Sequence, residues 1–266
     1  MKKVISIYSN NKGTSPEIEA IVTEKLEKLG FKVTEGLCPN ADLLVCIGGD
    51  GTFFDAIHKC KYPSIPIIGI NTGHLGFFQD VSPDKIDEFI DCCISGNYTI
   101  QQLSLIKASV KTSHGEFAHC CLNETTIRSN NFRSIHLDIY VDEKIIECCN
   151  CDGMVLATPT GSTAFNYSLG GSIIDPRLDL IQITPIAPMN NTAYRTLSSS
   201  IILPSYAPLK LVPAMERDTS LCIIRDGYKN EYTDVREITI STSDKKINLI
   251  RSKDFDFWSK VNSKLL

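Results

Sequence analysis

The apolar run Leu43-Leu44-Val45-Cys46-Ile47 stops at Gly-Gly-Asp-Gly-Thr, residues 48–52, and continues as Phe-Phe-Asp-Ala-Ile-His. A short unbroken apolar run bounded by glycines reads as a strand buried on both faces, and the segment after it reads as the start of a helix. Buried strand, tight turn and helix in immediate succession commit this part of the chain to a parallel α/β sheet. Glycine lets the backbone come close to a ligand, and successive exposed N–H groups form an anion-binding nest. The helix N-terminus adds positive potential. Asp50 stands in the middle of this cradle. A carboxylate repels phosphate, so Asp50 serves better as a base beside phosphates or as a metal contact. The plainer alternative is a turn in which Asp50 caps the next helix.

The flanking sequence extends the α/β pattern. Residues 3–8 read as a strand and 16–29 as a helix, with Ser15 as N-cap, Pro16 at its first position and Gly30 as its stop. Ile18, Ile21, Val22, Leu26 and Leu29 follow helical spacing. Residues 31–34 are short and extended, 42–47 and 66–71 are strands, and 82–95 form a helix that ends at Gly96. Ligands on such sheets sit at the carboxyl ends of strands, which is where the loops 48–52 and 71–78 fall. Near residue 98 the pattern changes to short extended segments. Residues 137–141 alternate and turn at Asp142-Glu143 into Ile145-Ile146 as a hairpin. Only residues 163–169 invite a helix, and 255–260 are amphipathic. The expectation is an α/β N-terminal domain with a parallel sheet at 1–98 and a mainly-β C-terminal domain at 99–250. A last segment, 251–266, packs back on the first domain.

A net charge of −4 with no basic stripe argues against a nucleic-acid surface. No apolar run approaches the roughly 20 residues of a membrane span. The N-terminus has two lysines but no signal-peptide core, so a cytoplasmic protein is expected. The eleven cysteines include the adjacent pairs Cys92-Cys93, Cys120-Cys121 and Cys148-Cys149. Adjacent strand residues point to opposite faces, so these read as reduced, small apolar residues rather than metal ligands.

A second constellation spans residues 152–171, Asp-Gly-Met-Val-Leu-Ala-Thr-Pro-Thr-Gly-Ser-Thr-Ala-Phe-Asn-Tyr-Ser-Leu-Gly-Gly. A short strand at 154–157 runs into a loop dense in hydroxyls and glycine. Such a loop offers donors and acceptors without charge, which suits a base or ribose. The alternative is a helix cap through Ser162 or Thr160. Asn123-Glu124 interrupts a strand-like stretch at 117–127, and by itself it is uninformative and reads more readily as a surface turn than as a site.

Taken in order, these motifs resemble the NAD kinase family: Gly-Gly-Asp-Gly-Thr at 48–52, Thr-Gly-His-Leu-Gly-Phe at 72–77, Asn123-Glu124, and Asp152-Gly153 followed by Thr-Pro-Thr-Gly-Ser-Thr-Ala-Phe at 158–165. Asn190-Asn191 and Tyr194-Arg195-Thr196-Leu197 are similar to a later family segment. The first loop alone also fits diacylglycerol-type lipid kinases, and a non-catalytic NAD-binding regulator is a further alternative. The resemblance implies transfer of phosphate from ATP, or polyphosphate, to the 2′-hydroxyl of NAD's adenosine ribose, giving NADP. It implies a divalent metal, magnesium, carried with the ATP phosphates, and a homo-oligomer. Asp50 is then the catalytic base, and Gly51 and its neighbours hold phosphates. Asn123 and Glu124 contact adenosine. Phe77, Phe78, Thr163, Ala164, Phe165 and Ser168 line the nucleotide pocket. Asp152 and Ala187 contact NAD across a subunit boundary. Two positions depart from the family. Asn150 stands where Arg is frequent, which removes a fixed cation suited to phosphate. Phe165 stands where Tyr is common, which keeps the ring and loses the hydroxyl.

Overall fold

The computed structural model describes residues 3–37, 40–73, 76–192, 195–214 and 219–265. The chain divides into two compact units, one of residues 1–103 and 245–266, the other of residues 104–244.

The first unit begins β1 (Val4–Ser9), α1 (Ser15–Lys28), β2 (Lys32–Glu35), β3 (Leu43–Gly48), α2 (Asp50–Lys59), β4 (Pro66–Asn71) and α3 (Ile86–Ser95). Its strands pair in parallel in the order β2-β1-β3-β4, with Ile5 opposite Leu43 and Leu44 opposite Ile67. Ile5, Ile7, Val45, Ile47, Ile68 and Ile70 of the sheet pack with Ile18, Val22 and Leu26 of α1 and Ile86, Phe89 and Ile90 of α3. Burying each such side chain contributes about 1.5–3 kcal/mol, which fixes the sheet that carries the loops.

The helix ends follow the sequence closely. Gly30 takes φ 85°, its N–H donates to the Glu27 carbonyl, and the Phe31 N–H donates to that of Leu26. That pair of bonds is the Schellman stop expected of a glycine there. At the other end Thr14, not Ser15, holds the N-cap position. The Ser15 hydroxyl instead meets that of Thr72 at 2.7 Å, a partner in the loop after β4.

The second unit is built on strands β5 (Thr99–Thr112), β6 (Gly115–Cys121), β7 (Glu124–Ser129), β8 (Ile135–Val141), β9 (Lys144–Cys151) and β10 (Gly153–Ala157). After a 3-10 turn at Thr160–Thr163 come α4 (Phe165–Ser168), β11 (Leu180–Ile186), β12 (Ile201–Pro204), β13 (Leu209–Pro213), β14 (Leu221–Arg225), β15 (Tyr228–Tyr232) and β16 (Val235–Arg251). One antiparallel sheet runs β12-β11-β10-β7-β14-β15. A second set of antiparallel pairs joins β9 to β8, β8 to β13 and β13 to the first part of β16, while β5 pairs β6. Alternate residues of both sets, among them Leu137, Ile139, Met154, Leu156, Ile183, Leu211 and Ile238, form one core. The β8–β9 hairpin turns on Asp142 and Glu143, both at positive φ, as a two-residue hairpin loop requires. The helix anticipated at 163–169 is a single turn.

The chain then returns to the first unit. Asn248 and Leu249 of β16 pair in parallel with Pro66 and Ile67 of β4, and α5 (Phe257–Leu265) follows. Cys149 and Cys151 are buried, with their sulfurs 3.5 Å apart, whereas Cys148 on the other face is exposed. Cys148 and Cys151, although three apart in sequence, therefore cannot share a ligand from one face. Among the described residues no helix is long and apolar enough to cross a membrane.

Candidate active site

Asp50 is the first residue of α2, and Gly49 in extended conformation holds the N-cap position. No side-chain cap bond is made there, so Asp50 is not the helix cap that one reading of the sequence allowed. Its carboxylate turns to the loop after β4. Oδ2 accepts the Phe77 N–H at 2.8 Å and Oδ1 accepts the Phe78 N–H at 3.2 Å. Gly76 makes this approach possible, because a Cβ there would lie 1.9 Å from Oδ1. Gly48 has a comparable reason: a Cβ would lie 2.2 Å from the Thr52 hydroxyl. Gly51 is exposed in the first turn of α2, where backbone N–H groups lack intrahelical partners. Phe78 is 3% exposed and stacks on Phe53 at 4.8 Å, so its ring is an anchor and does not line an open pocket, while its N–H reaches Asp50. Phe77 is half-buried.

Asn123 and Glu124 follow β6 and open β7. Asn123 is buried, which overturns the surface-turn reading. The segment is held from 103 residues on, by the Asp226-Gly227 turn between β14 and β15. The Asp226 carboxylate accepts the N–H groups of Leu122 at 2.8 Å, Asn123 at 2.7 Å and Glu124 at 3.4 Å. An Asp-Gly pair between two extended runs signals a hairpin, but nothing local to it shows that its side chain holds another loop. Asn123 Oδ1 and Glu124 Oε2 are buried without a hydrogen-bond partner. Burial, and then the Asp226 charge, push the Glu124 carboxyl up to about 8.

The 158–168 loop is packed on this pair. Thr158 donates its N–H to the Asn123 carbonyl at 2.9 Å and its hydroxyl to the Leu122 carbonyl at 2.6 Å. The Thr158 hydroxyl also accepts the Gly161 N–H, and Ser162 bridges the Pro159 carbonyl and the Ile174 N–H. A Cβ at Gly161 would lie 2.0 Å from the Asn123 carbonyl oxygen. The hydroxyls of Thr158 and Ser162 thus hold the loop itself together. Thr163 and Ala164 are half-buried, and Phe165 and Ser168 are exposed.

Asp152 and Ala187 are both exposed and lie side by side, where Gly153 of β10 pairs Ile186 of β11 and the Asp152 N–H donates to the Ile186 carbonyl. Asn150 is 7% exposed and its Oδ1 has no partner. Its main chain is held by Thr196 Oγ1 and the Met189 N–H, and the Thr196 N–H donates to Asn190. His74 and Leu75 of the Thr-Gly-His-Leu-Gly-Phe motif, and Tyr194, lie outside the described residues. A concavity of about 710 Å³ beside α1 is lined by Glu19, Glu24, Glu27 and Glu35, and Asp50 is not among its walls. Those carboxylates repel phosphate, so this concavity is a poor phosphate site.

A family model described as the ATP-NAD kinase N-terminal domain matches residues 9–98, and one described as the ATP-NAD kinase C-terminal domain matches residues 122–252. The NAD kinase of Finegoldia magna is 40% identical over 270 residues, covering 99% of this chain and 98% of that protein. NAD kinase 1 of Listeria monocytogenes is 34% identical over 229 residues, 85% of this chain and 86% of that protein. Yeast NADH kinase complexed with NADH superposes with a TM-score of 0.86 at 22% identity, covering 99% of this chain and 87% of that one. An NAD kinase from Archaeoglobus fulgidus in complex with ATP gives 0.78 at 23%, covering 98% and 99%. At those identities the two structures speak for the fold.

Proposed function

This chain belongs to the NAD kinase family and is an NAD kinase, and from that premise we propose which of its residues carry the transfer of phosphate from ATP to the 2′-hydroxyl of NAD's adenosine ribose. The supporting observation is the Asp50 carboxylate, fixed by two backbone N–H groups at the start of a helix. A ribose hydroxyl is a weak nucleophile. Asp50 accepts its proton while the 2′-oxygen bonds to the γ-phosphorus and the β–γ bridge breaks, its electron pair leaving with ADP. Phosphoryl transfer otherwise rests on positioning and charge neutralisation. Gly51 and the first turn of α2 supply N–H groups for phosphate, and magnesium arrives as part of the nucleotide substrate.

Recognition falls to the second unit. With its carboxyl raised to about 8, Glu124 is protonated at neutral pH and can donate, while Asn123 Oδ1 accepts. A donor beside an acceptor complements the ring nitrogen and exocyclic amine of adenine. Thr163, Ala164, Phe165 and Ser168 line the dinucleotide pocket in this reading. Asp152 and Ala187 meet NAD held by a neighbouring subunit of a homo-oligomer, consistent with their shared exposure.

The test is NADP formation by purified protein with magnesium, NAD and either ATP or polyphosphate, run beside Asp50→Asn. Losing a general base costs about 10²–10⁴-fold in turnover. Asp50→Asn turning over near the wild-type rate removes Asp50 from the mechanism.

A further inference from the structure

Building on the reading of Asp50 as the base, we infer that Arg251, Lys260 and Asp80 are positioning residues, a buried ion cluster through which the C-terminal segment fixes the two N–H groups that hold Asp50. Arg251 ends β16 and Lys260 lies on α5, 171 and 180 residues from Asp80 along the chain. Arg251 Nη1 donates to Asp80 Oδ2 at 2.8 Å, and Lys260 Nζ donates to the other carboxylate oxygen. The three side chains are 7%, 11% and 9% exposed.

The cations also grip the backbone of the Asp50 loop. Arg251 Nη1 donates to the Phe77 carbonyl at 3.0 Å, and Lys260 Nζ donates to the Gln79 carbonyl at 3.3 Å. Arg251 Nε is fixed in turn by Gln101 at 2.8 Å. The carbonyls of residues 77 and 79 are therefore held from one side while the N–H groups of 77 and 78 reach Asp50 on the other. The same C-terminal segment covers the loop with side chains. The Phe257 ring lies 6.2 Å from that of Phe77, Lys264 Nζ sits 4.8 Å over the Phe77 ring, and the Arg251 guanidinium lies 3.8 Å over Phe255.

Charge supports the same assignment. Two cations and one carboxylate leave one positive charge in excess, and Asp50 is near enough to act on both cations. Burial lowers the pKa of Arg251 and of Lys260, and Asp80 and then Asp50 oppose that lowering. A buried ion cluster is weak evidence of stabilisation, because apolar replacements often serve as well. Its placement behind the loop that carries the base gives it a geometric use. A misplacement of about 1 Å at a reacting group can cost about 10²-fold in rate.

The experiment compares the full chain with Lys260→Met, Lys260→Arg and Arg251→Lys. Two quantities are read: steady-state kinetics per folded molecule, and hydrogen exchange of the Phe77 and Phe78 amides. Lys260→Met should lower kcat by roughly 10- to 100-fold while leaving KM for NAD and ATP within about twofold, and should speed exchange at both amides. Lys260→Arg, which keeps the charge, should recover most of the rate. Arg251→Lys, which loses the fork joining Asp80, Phe77 and Gln101, should repeat the kcat loss in a folded protein. Unchanged kcat per folded molecule, or amides as protected as in wild type, overturns the inference. The exchange result stands whether or not Asp50 proves to be the base, so the two readings fail separately.

Discussion

The two units treat their polar groups in opposite ways. Around Asp50, the carboxylate, the Phe77 and Phe78 amides and the Phe77 and Gln79 carbonyls find partners within the protein, and among the described side chains of the first unit only Gln79 Oε1 stands among the buried atoms left unpaired. In the second unit Asn123 Oδ1, Glu124 Oε2, Asn130 Oδ1, Asn150 Oδ1 and Asn166 Nδ2 are buried without partners among the described residues. Buried polar atoms are nearly always satisfied, so these exceptions need an explanation. The first unit's loop is set before any ligand arrives, which is what rate acceleration by oriented groups requires. The second unit leaves buried donors and acceptors unpaired, and under the function proposed above those of Asn123 and Glu124 are kept for the adenine.

The contrast can be broken most forcefully at Gly76. Gly76→Ala places a methyl group where Asp50 Oδ1 now sits, and should lower kcat by about 10²-fold with Asp50 itself unchanged. Steady-state NADP formation checks this, and a rate near wild type would mean that the carboxylate need not be seated as it is here.

Glu124→Gln sharpens the other side. Between the ordinary carboxylate range and about 8, the folded chain keeps a proton that the unfolded chain has released. Wild type should therefore lose stability as pH rises through that window and level off above it. Gln is neutral throughout and should escape the loss. Urea unfolding at pH 5 and pH 8.5 should give equal stabilities at the lower pH, and at the higher pH an advantage to the variant of roughly 1–3 kcal/mol. A constant difference across pH would show that Glu124 holds no extra proton.

The smallest expected effect is at Asn150. Its Oδ1 makes no hydrogen bond, so Asn150→Ala should leave stability within about 1 kcal/mol. The same change should weaken NAD binding several-fold if that oxygen is kept for the ligand. Paired calorimetry of unfolding and of NAD binding separates the two. A large loss of stability with unchanged affinity would place Asn150 among the structural residues.

Much of the site was legible locally. Alternation of apolar runs with glycine and proline marked β3, α2, β4 and the helix stop at Gly30, because strand burial and helix termination are decided by residues a few places apart. The Asp142-Glu143 hairpin was readable for the same reason. Asn123-Glu124 was not, since its burial depends on a carboxylate about a hundred residues away. Ser15 looked like a cap and instead bonds Thr72, a partner brought near by parallel pairing. The hydroxyl-rich loop stood out by composition, which could not tell that the Thr158 and Ser162 hydroxyls hold the loop itself.

What the sequence by itself determined is which elements form and which loops carry glycine, carboxylate and hydroxyls, since those choices follow from steric freedom and apolar spacing over short stretches. The tertiary structure alone decided what those groups do. The Asp50 carboxylate meets the Phe77 and Phe78 amides only because β3 and β4 lie side by side in parallel register. The Asp80 cluster exists only because β16 returns to pair with β4 and brings Arg251 and Lys260 with it. Such contacts join residues far apart in the chain, and their geometry is set by sheet register and core packing, which no local run of residues encodes.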